Sequence, residues 1–265
     1  HLPYMRKAGY DVPDMDFTIP GVTSISADLH KYGYAAKGAS VILYRNKDIR
    51  RHQFYACARW TGYTVINPAA TSSKTGGPMA GASAVHNYLG DEGYMQIVRE
   101  VMDATRVLIE GIDAIEELQV LSEPEMCMFA FAARTDRFTV YRLADEMKKK
   151  GWYLQPQFRR ANSPANLHVS LNSICAPRAH DMLACLRETV SELMAAEPDP
   201  QVLALQQEIQ ELAAEYSDDK FFRLVELAGV AGTDLPAGME KINLLLEALP
   251  VEVSEQVLIA FLNDL

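Results

Sequence analysis

The run Ser24-Ile25-Ser26-Ala27-Asp28-Leu29-His30-Lys31-Tyr32-Gly33-Tyr34-Ala35-Ala36-Lys37-Gly38 constrains the fold more than any other stretch, because apolar–polar alternation stops there abruptly and small residues take over. Thr23 to Ala27 alternates as a strand does, Asp28 to Lys31 reads as its exit, and Ala39-Ser40-Val41-Ile42-Leu43-Tyr44 reads as a second strand. Gly33 and Gly38 allow the close backbone turns that such an exit needs. This places Lys31, with His30 beside it, at a sheet edge, where an enzyme would hold an amine ready for a carbonyl. A solvated lysine is protonated and non-nucleophilic at neutral pH, so Schiff-base formation needs a site that favours the free amine or a prebound aldehyde. Spacing alone does not make that case, since a His-Lys pair is more often a solvated loop end than a catalytic one.

Composition narrows the class. A chain of 265 residues with 49% hydrophobic residues can bury a sizeable core in one large or two moderate domains. The formal charge of -10 and the pI near 5.1 argue against nonspecific nucleic-acid binding, since no basic run is long enough to track a phosphate backbone. The densest run, Lys148-Lys149-Lys150, closes a predicted helix, where positive charge favours the dipole. Cys57, Cys127, Cys175 and Cys185 show no C-x-x-C spacing and fit a reducing compartment, with Cys127 and Cys185 in apolar runs that suggest burial. The histidines form no H-x-x-x-H pair, so no metal site is expected. No apolar stretch approaches the roughly 20 residues that span a bilayer, and no signal peptide is visible, which points to the cytoplasm. An upstream membrane anchor stays open, because the chain starts without an initiator methionine.

Beyond the lysine, Pro78 to Leu89 reads as a helix, and Asp91-Glu92-Gly93 introduces a longer one to about Ile112 with an apolar stripe through Tyr94, Val98, Val101 and Leu108. Met126 to Ala133 reads as a strand, Thr139 to Lys150 as a helix ended by Gly151, Trp152 to Phe158 and Leu167 to Asn172 as extended, and Pro177 to Ala195 as helix. That β-α-β-β-α order suits a small layered domain with helices on one face of a sheet. Glu197-Pro198-Asp199-Pro200 breaks the pattern. Gln201 to Tyr216, Phe221 to Leu227, Met239 to Leu249 and Ser254 to Leu265 follow as helical candidates, with Ser254 as an N-cap.

The residues from Ser24 to Lys37 resemble the Schiff-base region of the group II pyridoxal-phosphate-dependent decarboxylase family, and most closely its sphingosine-1-phosphate lyase branch, whose pattern reads S-x-S-A-D-x-H-K-Y-G-Y-A-x-K-G. The likeness continues through Ser40 to Arg45, Tyr55 to Trp60, Ser72 to Gly77 and Gly151-Trp152, covering about residues 1–175. It implies an α/β chain of fold type I: the C-terminal part of a cofactor-binding large domain over 1–112, a small α/β domain over 113–197 and a helical extension over 198–265. It also implies the cofactor, pyridoxal 5'-phosphate (PLP), with Lys31 as the Schiff-base lysine and His30 lying against the cofactor near its phosphate. Lys37 matches a second active-site lysine of the lyase branch. The segment from Thr71 to Gly77 resembles the loop A-G-S-R-P-G-G, which reaches the cofactor phosphate of a neighbouring subunit. Ser73 is its matched serine, and Ser72, Lys74 and Thr75 depart from the glycine, arginine and proline of the pattern. Hydroxyls, N–H groups and a positive charge still suit an anion there.

The resemblance therefore predicts a homodimer with a shared site, acting on a small-molecule amine or amino acid. The first residues correspond to a place just after a D-A-x-x-G-G segment of the family, so the chain is expected to be the C-terminal portion of a longer enzyme. The reaction implied is carbon–carbon lysis of a phosphorylated sphingoid base to a fatty aldehyde and phosphoethanolamine. An amino-acid decarboxylase and a non-catalytic assembly protein are the alternatives.

Overall fold

The computed structural model describes residues 1–70, 73–197, 199–214 and 238–263, and the chain divides into two compact units, His1–Met102 and Asp103–Leu265. In the first unit, helix α1 (Leu2–Lys7) carries Pro3 in its first turn and buries Met5. Strands β1 (Ser24–Asp28) and β2 (Ser40–Tyr44) form an antiparallel pair whose register sets Ser24 against Tyr44 and Asp28 against Ser40. The alternation read from the sequence is thus a real strand pair, and the loop between its strands carries the lysine. A short helix α2 (Lys47–Arg50), capped by the Asn46 side chain, leads to a second hairpin of β3 (Tyr55–Cys57) and β4 (Val65–Asn67).

Helix α3 (Gly76–Asp113) begins in this unit and breaks at Gly90, whose φ of 56° and ψ of -172° are non-helical. The two helices expected from the sequence are therefore two limbs meeting at a glycine that has no Cβ to resist the left-handed φ. Ala35, Ala39 and Ala82 pack together with Leu29 against them. Their small size lets the loop after β1 lie close to the first limb of α3.

The second unit contains a four-stranded antiparallel sheet of order β5-β6-β8-β7, formed by β5 (Leu118–Val120), β6 (Met128–Ala133), β7 (Gln155–Gln157) and β8 (Asn166–Ser170). Phe129 pairs with Val169 and Phe131 with Leu167, so all four buried side chains share one face. Helix α4 (Val140–Lys149) lies against β7 and β8, and α5 (Ala179–Ala195) lies against α4. Thr139 caps α4 by accepting the Arg142 N–H at 3.0 Å, and Gly151 takes a φ of +87° just past its end. Strand β5 was not anticipated, because three residues leave too short a period to read.

At Gly111 the second limb of α3 meets α5 so closely that a Cβ would sit 2.1 Å from Leu183 Cδ2 and 2.8 Å from its Cδ1. Leu183 is buried and has little room to turn away. Gly111→Ala is accordingly expected to cost about 1–3 kcal/mol, read as a lower urea midpoint at unchanged slope.

Three helices close the described chain: α6 (Pro200–Ala214), α7 (Glu240–Ala248) and α8 (Val251–Asn263). The helix expected over 221–227 lies outside the described residues. Ser254 is not an N-cap; α8 starts earlier, directly after Pro250, and the Ser254 hydroxyl instead donates to the Leu246 carbonyl at 3.2 Å. Asp145 of α4 accepts the backbone N–H groups of Met239 and Glu240 at 2.7 and 2.8 Å, so a carboxylate of one helix caps the N-terminus of another. Thr139 donates to Glu240 at 2.5 Å, and the buried Tyr141 hydroxyl donates to Glu247 at 3.0 Å. Burial raises the Glu240 carboxyl above its ordinary value, and it drives the Tyr141 phenol up further, with help from the Glu247 charge.

Candidate functional site

Residues from β1 and the loop after it assemble the site. Asp28 ends β1 and its carbonyl accepts the Lys31 N–H at 3.1 Å, so a tight turn returns the chain over the strand end. The Leu29 carbonyl accepts the Ala35 N–H at 3.0 Å, and the Ala39 carbonyl accepts the His30 N–H at 3.2 Å. These bonds fold residues 28–39 into a compact loop. Gly33 is indispensable to it: a Cβ there would lie 2.6 Å from the Leu29 carbonyl oxygen and 2.9 Å from Leu29 Cα. Tyr34 holds a φ of 57°, uncommon for a bulky residue, and such outliers concentrate where a loop is fixed by its surroundings for a task.

Within that loop the Lys31 Nζ stands 2.9 Å from Asp28 Oδ2, with the lysine side chain 66% exposed. His30 is mostly covered; its Nδ1 is 3.0 Å from the Ala39 carbonyl oxygen and its Nε2 is 4.0 Å from Asp28 Oδ2. The Asp28 carboxylate also accepts the Ser40 hydroxyl at 2.6 Å. That bond first, and Lys31 second, hold its carboxyl down at about 2. Farther back, the Tyr94 hydroxyl donates to the Gly33 carbonyl at 2.8 Å, and the Tyr94 ring stacks on Tyr4 at 4.5 Å between centroids. Lys7 pairs with Asp91 at 2.5 Å, tying α1 to the start of the second limb of α3.

Lys31 and His30, neighbours in the chain, both approach the Asp28 carboxylate. Lys37 and Ser73 are exposed, and among the described residues no hydrogen bond or ion pair joins either of them to Lys31 or His30. Ser72 lies outside the described residues. Two cavities are prominent, one of about 470 Å³ bounded by Gln53, Tyr55, Asn67 and Pro68 and one of about 870 Å³ bounded by Tyr141, Arg159 and Glu247. Lys31 lines neither. Val41, Ile42 and Leu43 of the adjoining strand are exposed as well. Sequence reasoning missed three residues of this arrangement, Asp28, Ser40 and Tyr94. The first two had a signal in the Asp-x-x-Lys spacing across a turn and in the hairpin register; Tyr94 sat inside a core stripe and had none.

Among the described residues no group of His, Cys, Asp and Glu side chains could hold a metal ion, and no helix is long and apolar enough to cross a membrane. None of the four cysteines forms a disulfide, and Cys127 is buried while Cys185 is only partly so.

Comparison with known proteins agrees with this architecture. The family model described as "Pyridoxal-dependent enzyme, C-terminal putative HTH domain" matches residues 188–264. Sphingosine-1-phosphate lyase of Arabidopsis thaliana is 41% identical over 199 residues, covering 75% of this chain and 35% of that protein; the Saccharomyces cerevisiae enzyme is 36% identical over 204 residues, covering 75% and 34%. The chain thus spans about a third of the length of these curated relatives. The solved sphingosine-1-phosphate lyase of Burkholderia pseudomallei superposes with a TM-score of 0.66 at 32% identity, over 82% of this chain and 48% of that one. Glutamate decarboxylase of Lactobacillus brevis, at 20% identity and a TM-score of 0.61 over 69% and 43%, shares the fold. These solved neighbours are PLP-dependent enzymes of fold type I, and this chain shares their mixed α/β fold and ends in a helical region. Within that class the chain is similar to the sphingosine-1-phosphate lyases over about three quarters of its own length.

Residues 188–264 hold sixteen acidic and three basic side chains, the inverse of the charge that a phosphate backbone demands.

Proposed function

We propose that this chain supplies the cofactor-bearing lysine of a PLP-dependent carbon–carbon lyase that cleaves a phosphorylated sphingoid base to a fatty aldehyde and phosphoethanolamine. The observation that carries the reading is the unbroken motif from Ser24 to Lys37, folded as a loop that presents Lys31 beside His30. The donor set suits the cofactor: an accessible primary amine for its aldehyde, an imidazole held by the Ala39 carbonyl, and an exposed hydroxyl and amine at Ser73 and Lys74 for a phosphate. When bound, PLP supplies the aldehyde that takes up the substrate amine and the ring that draws off an electron pair as the bond between two substrate carbons breaks.

This chain's own residues have four tasks in the reading. Lys31 anchors the cofactor between turnovers and gives it up to the substrate amine. His30, its ring fixed by the Ala39 carbonyl, packs against the cofactor. Lys37 holds the substrate phosphate or moves a proton, as a lysine amine can. Ser72 and Ser73 reach the phosphate of a partner's cofactor, which makes the working unit a homodimer. Residues 1–112 then complete a large domain, 113–197 form the small domain and 198–265 extend it.

The test offers the whole enzyme, loaded with PLP, a phosphorylated sphingoid base and, separately, a panel of amino acids. Aldehyde release from the phosphorylated base supports the lyase. Carbon dioxide from an amino acid without aldehyde would replace it with a decarboxylase, and a protein that stays colourless with added PLP would leave a non-catalytic fold.

A further inference from the structure

We propose that Tyr94 is a positioning residue for the reacting lysine: its phenol fixes the Gly33–Tyr34 peptide group, and that peptide group in turn holds the Lys31 backbone, so that the side chain leaves the loop in one direction. The inference rests on the function proposed above. It stands on three bonds in series. The Tyr94 hydroxyl donates to the Gly33 carbonyl at 2.8 Å, and the N–H at the other end of the same peptide group, that of Tyr34, donates to the Lys31 carbonyl at 3.0 Å. The Lys31 N–H donates to the Asp28 carbonyl at 3.1 Å, where β1 ends. The lysine backbone is therefore gripped on both sides, by the strand through its N–H and by α3 through its carbonyl. None of these bonds uses the side-chain amine, so joining that amine to a cofactor does not compete with them.

Tyr34 shows what the grip demands. Its φ of 57° is a conformation that a bulky L residue leaves unless its surroundings forbid it. Both peptide groups that flank its α-carbon are tied: the one before it by Tyr94 and the Lys31 carbonyl, the one after it by the Ala35 N–H, which donates to the Leu29 carbonyl at 3.0 Å. With both planes fixed, the dihedrals between them are fixed too. Releasing the Gly33 carbonyl would let the Gly33–Tyr34 peptide turn over, relax Tyr34 to a negative φ and take its N–H away from Lys31.

Tyr94 is well set to act as the clamp. It is 5% exposed, and its ring stacks on Tyr4 at 4.5 Å between centroids. Burial, helped by the Tyr4 and Tyr34 phenols beside it, pushes its hydroxyl above the ordinary phenol value, so it stays a donor at any pH where such an enzyme works. Hydrogen bonds in series also polarise one another, so the bond to the Lys31 carbonyl strengthens while Tyr94 donates.

The experiment takes the whole enzyme and reads the loop twice: by amide hydrogen exchange without cofactor, resolved to single residues by fragmentation mass spectrometry, and by recapture of PLP after stripping. In the unsubstituted protein the Tyr34 amide should exchange as slowly as those of Lys31 and Ala35, the three opening as one unit. Tyr94→Phe keeps the ring and removes the hydroxyl. It should speed exchange at Tyr34 by about tenfold and slow the joining of PLP to Lys31 by a similar factor, with the amides of β1 and β2 unchanged. Tyr34→Asn added to that variant should restore most of the lost capture, because asparagine takes a left-handed φ far more readily than tyrosine. A hydroxyl that only stabilised the fold would not be rescued that way. Exchange and capture unmoved by Tyr94→Phe, a loss that Tyr34→Asn does not repair, or, should Tyr94→Phe not fold, a Tyr34 amide that exchanges freely in the unsubstituted protein overturns the role of Tyr94 and leaves the function standing. Absence of a PLP adduct on Lys31 in the unsubstituted enzyme, sought by borohydride reduction, overturns both.

Discussion

Lys31→Ala should abolish covalent attachment of PLP in the whole enzyme: borohydride reduction followed by tryptic mass spectrometry will find no cofactor on the peptide that carries position 31, and turnover should fall by about 10³-fold or more. The expectation comes from chemistry that alanine cannot imitate. Lys31 contributes an amine on a loop whose backbone is fixed independently of it, by the bonds from Ala35 to Leu29 and from His30 to Ala39. The side chain is 66% exposed and packs against no core, so its removal should leave the unfolding midpoint within about 0.5 kcal/mol of the parent. A variant that keeps the adduct would put the Schiff base on another lysine, with Lys37 the first to examine.

Gly33→Ala should have the opposite profile, leaving every polar group of the site in place and ruining its geometry. The added Cβ would meet the Leu29 carbonyl oxygen at 2.6 Å and Leu29 Cα at 2.9 Å, and both are backbone atoms that cannot rotate aside. To make room, the loop must release the Ala35–Leu29 hydrogen bond or pull Gly33 from the Tyr94 hydroxyl. Either route is expected to cost about 2 kcal/mol or more. Denaturant unfolding measures that cost, and whole enzyme stripped of cofactor and given PLP again should recapture it on Lys31, followed by absorbance, at a small fraction of the parent rate. If Gly33→Ala unfolds and recaptures as the parent does, the loop is not the rigid cradle described here.

Why one part of this molecule can be read from sequence and another cannot follows from the range of the forces involved. Strands β1 and β2, helices α4 and α5, and both limbs of α3 announce themselves through local periodicity, a proline at a helix start or a glycine at its end. Such signals lie within one or two turns of chain. The Lys31–His30 pair is legible for the same reason, being adjacent in a motif. Tyr94, which fastens the loop from 61 residues away, is written as an apolar position of an amphipathic helix, and its hydroxyl finds the Gly33 carbonyl only once the chain has folded. Strand β5 pairs three residues with a strand that follows an intervening loop, too few to show alternation. Ser254 failed as a cap because Pro250, four residues earlier, already presets the helical φ at the start of α8.

The capping of α7 by Asp145 has a practical consequence for anyone who would dissect the protein. A boundary drawn near residue 188 on the strength of the family match would separate Met239 and Glu240 from the carboxylate that satisfies their N–H groups, and Glu247 from the phenol it receives. Helix α7 borrows the cap of its first turn from α4; excised, it would lose that carboxylate and fray at its N-terminal end.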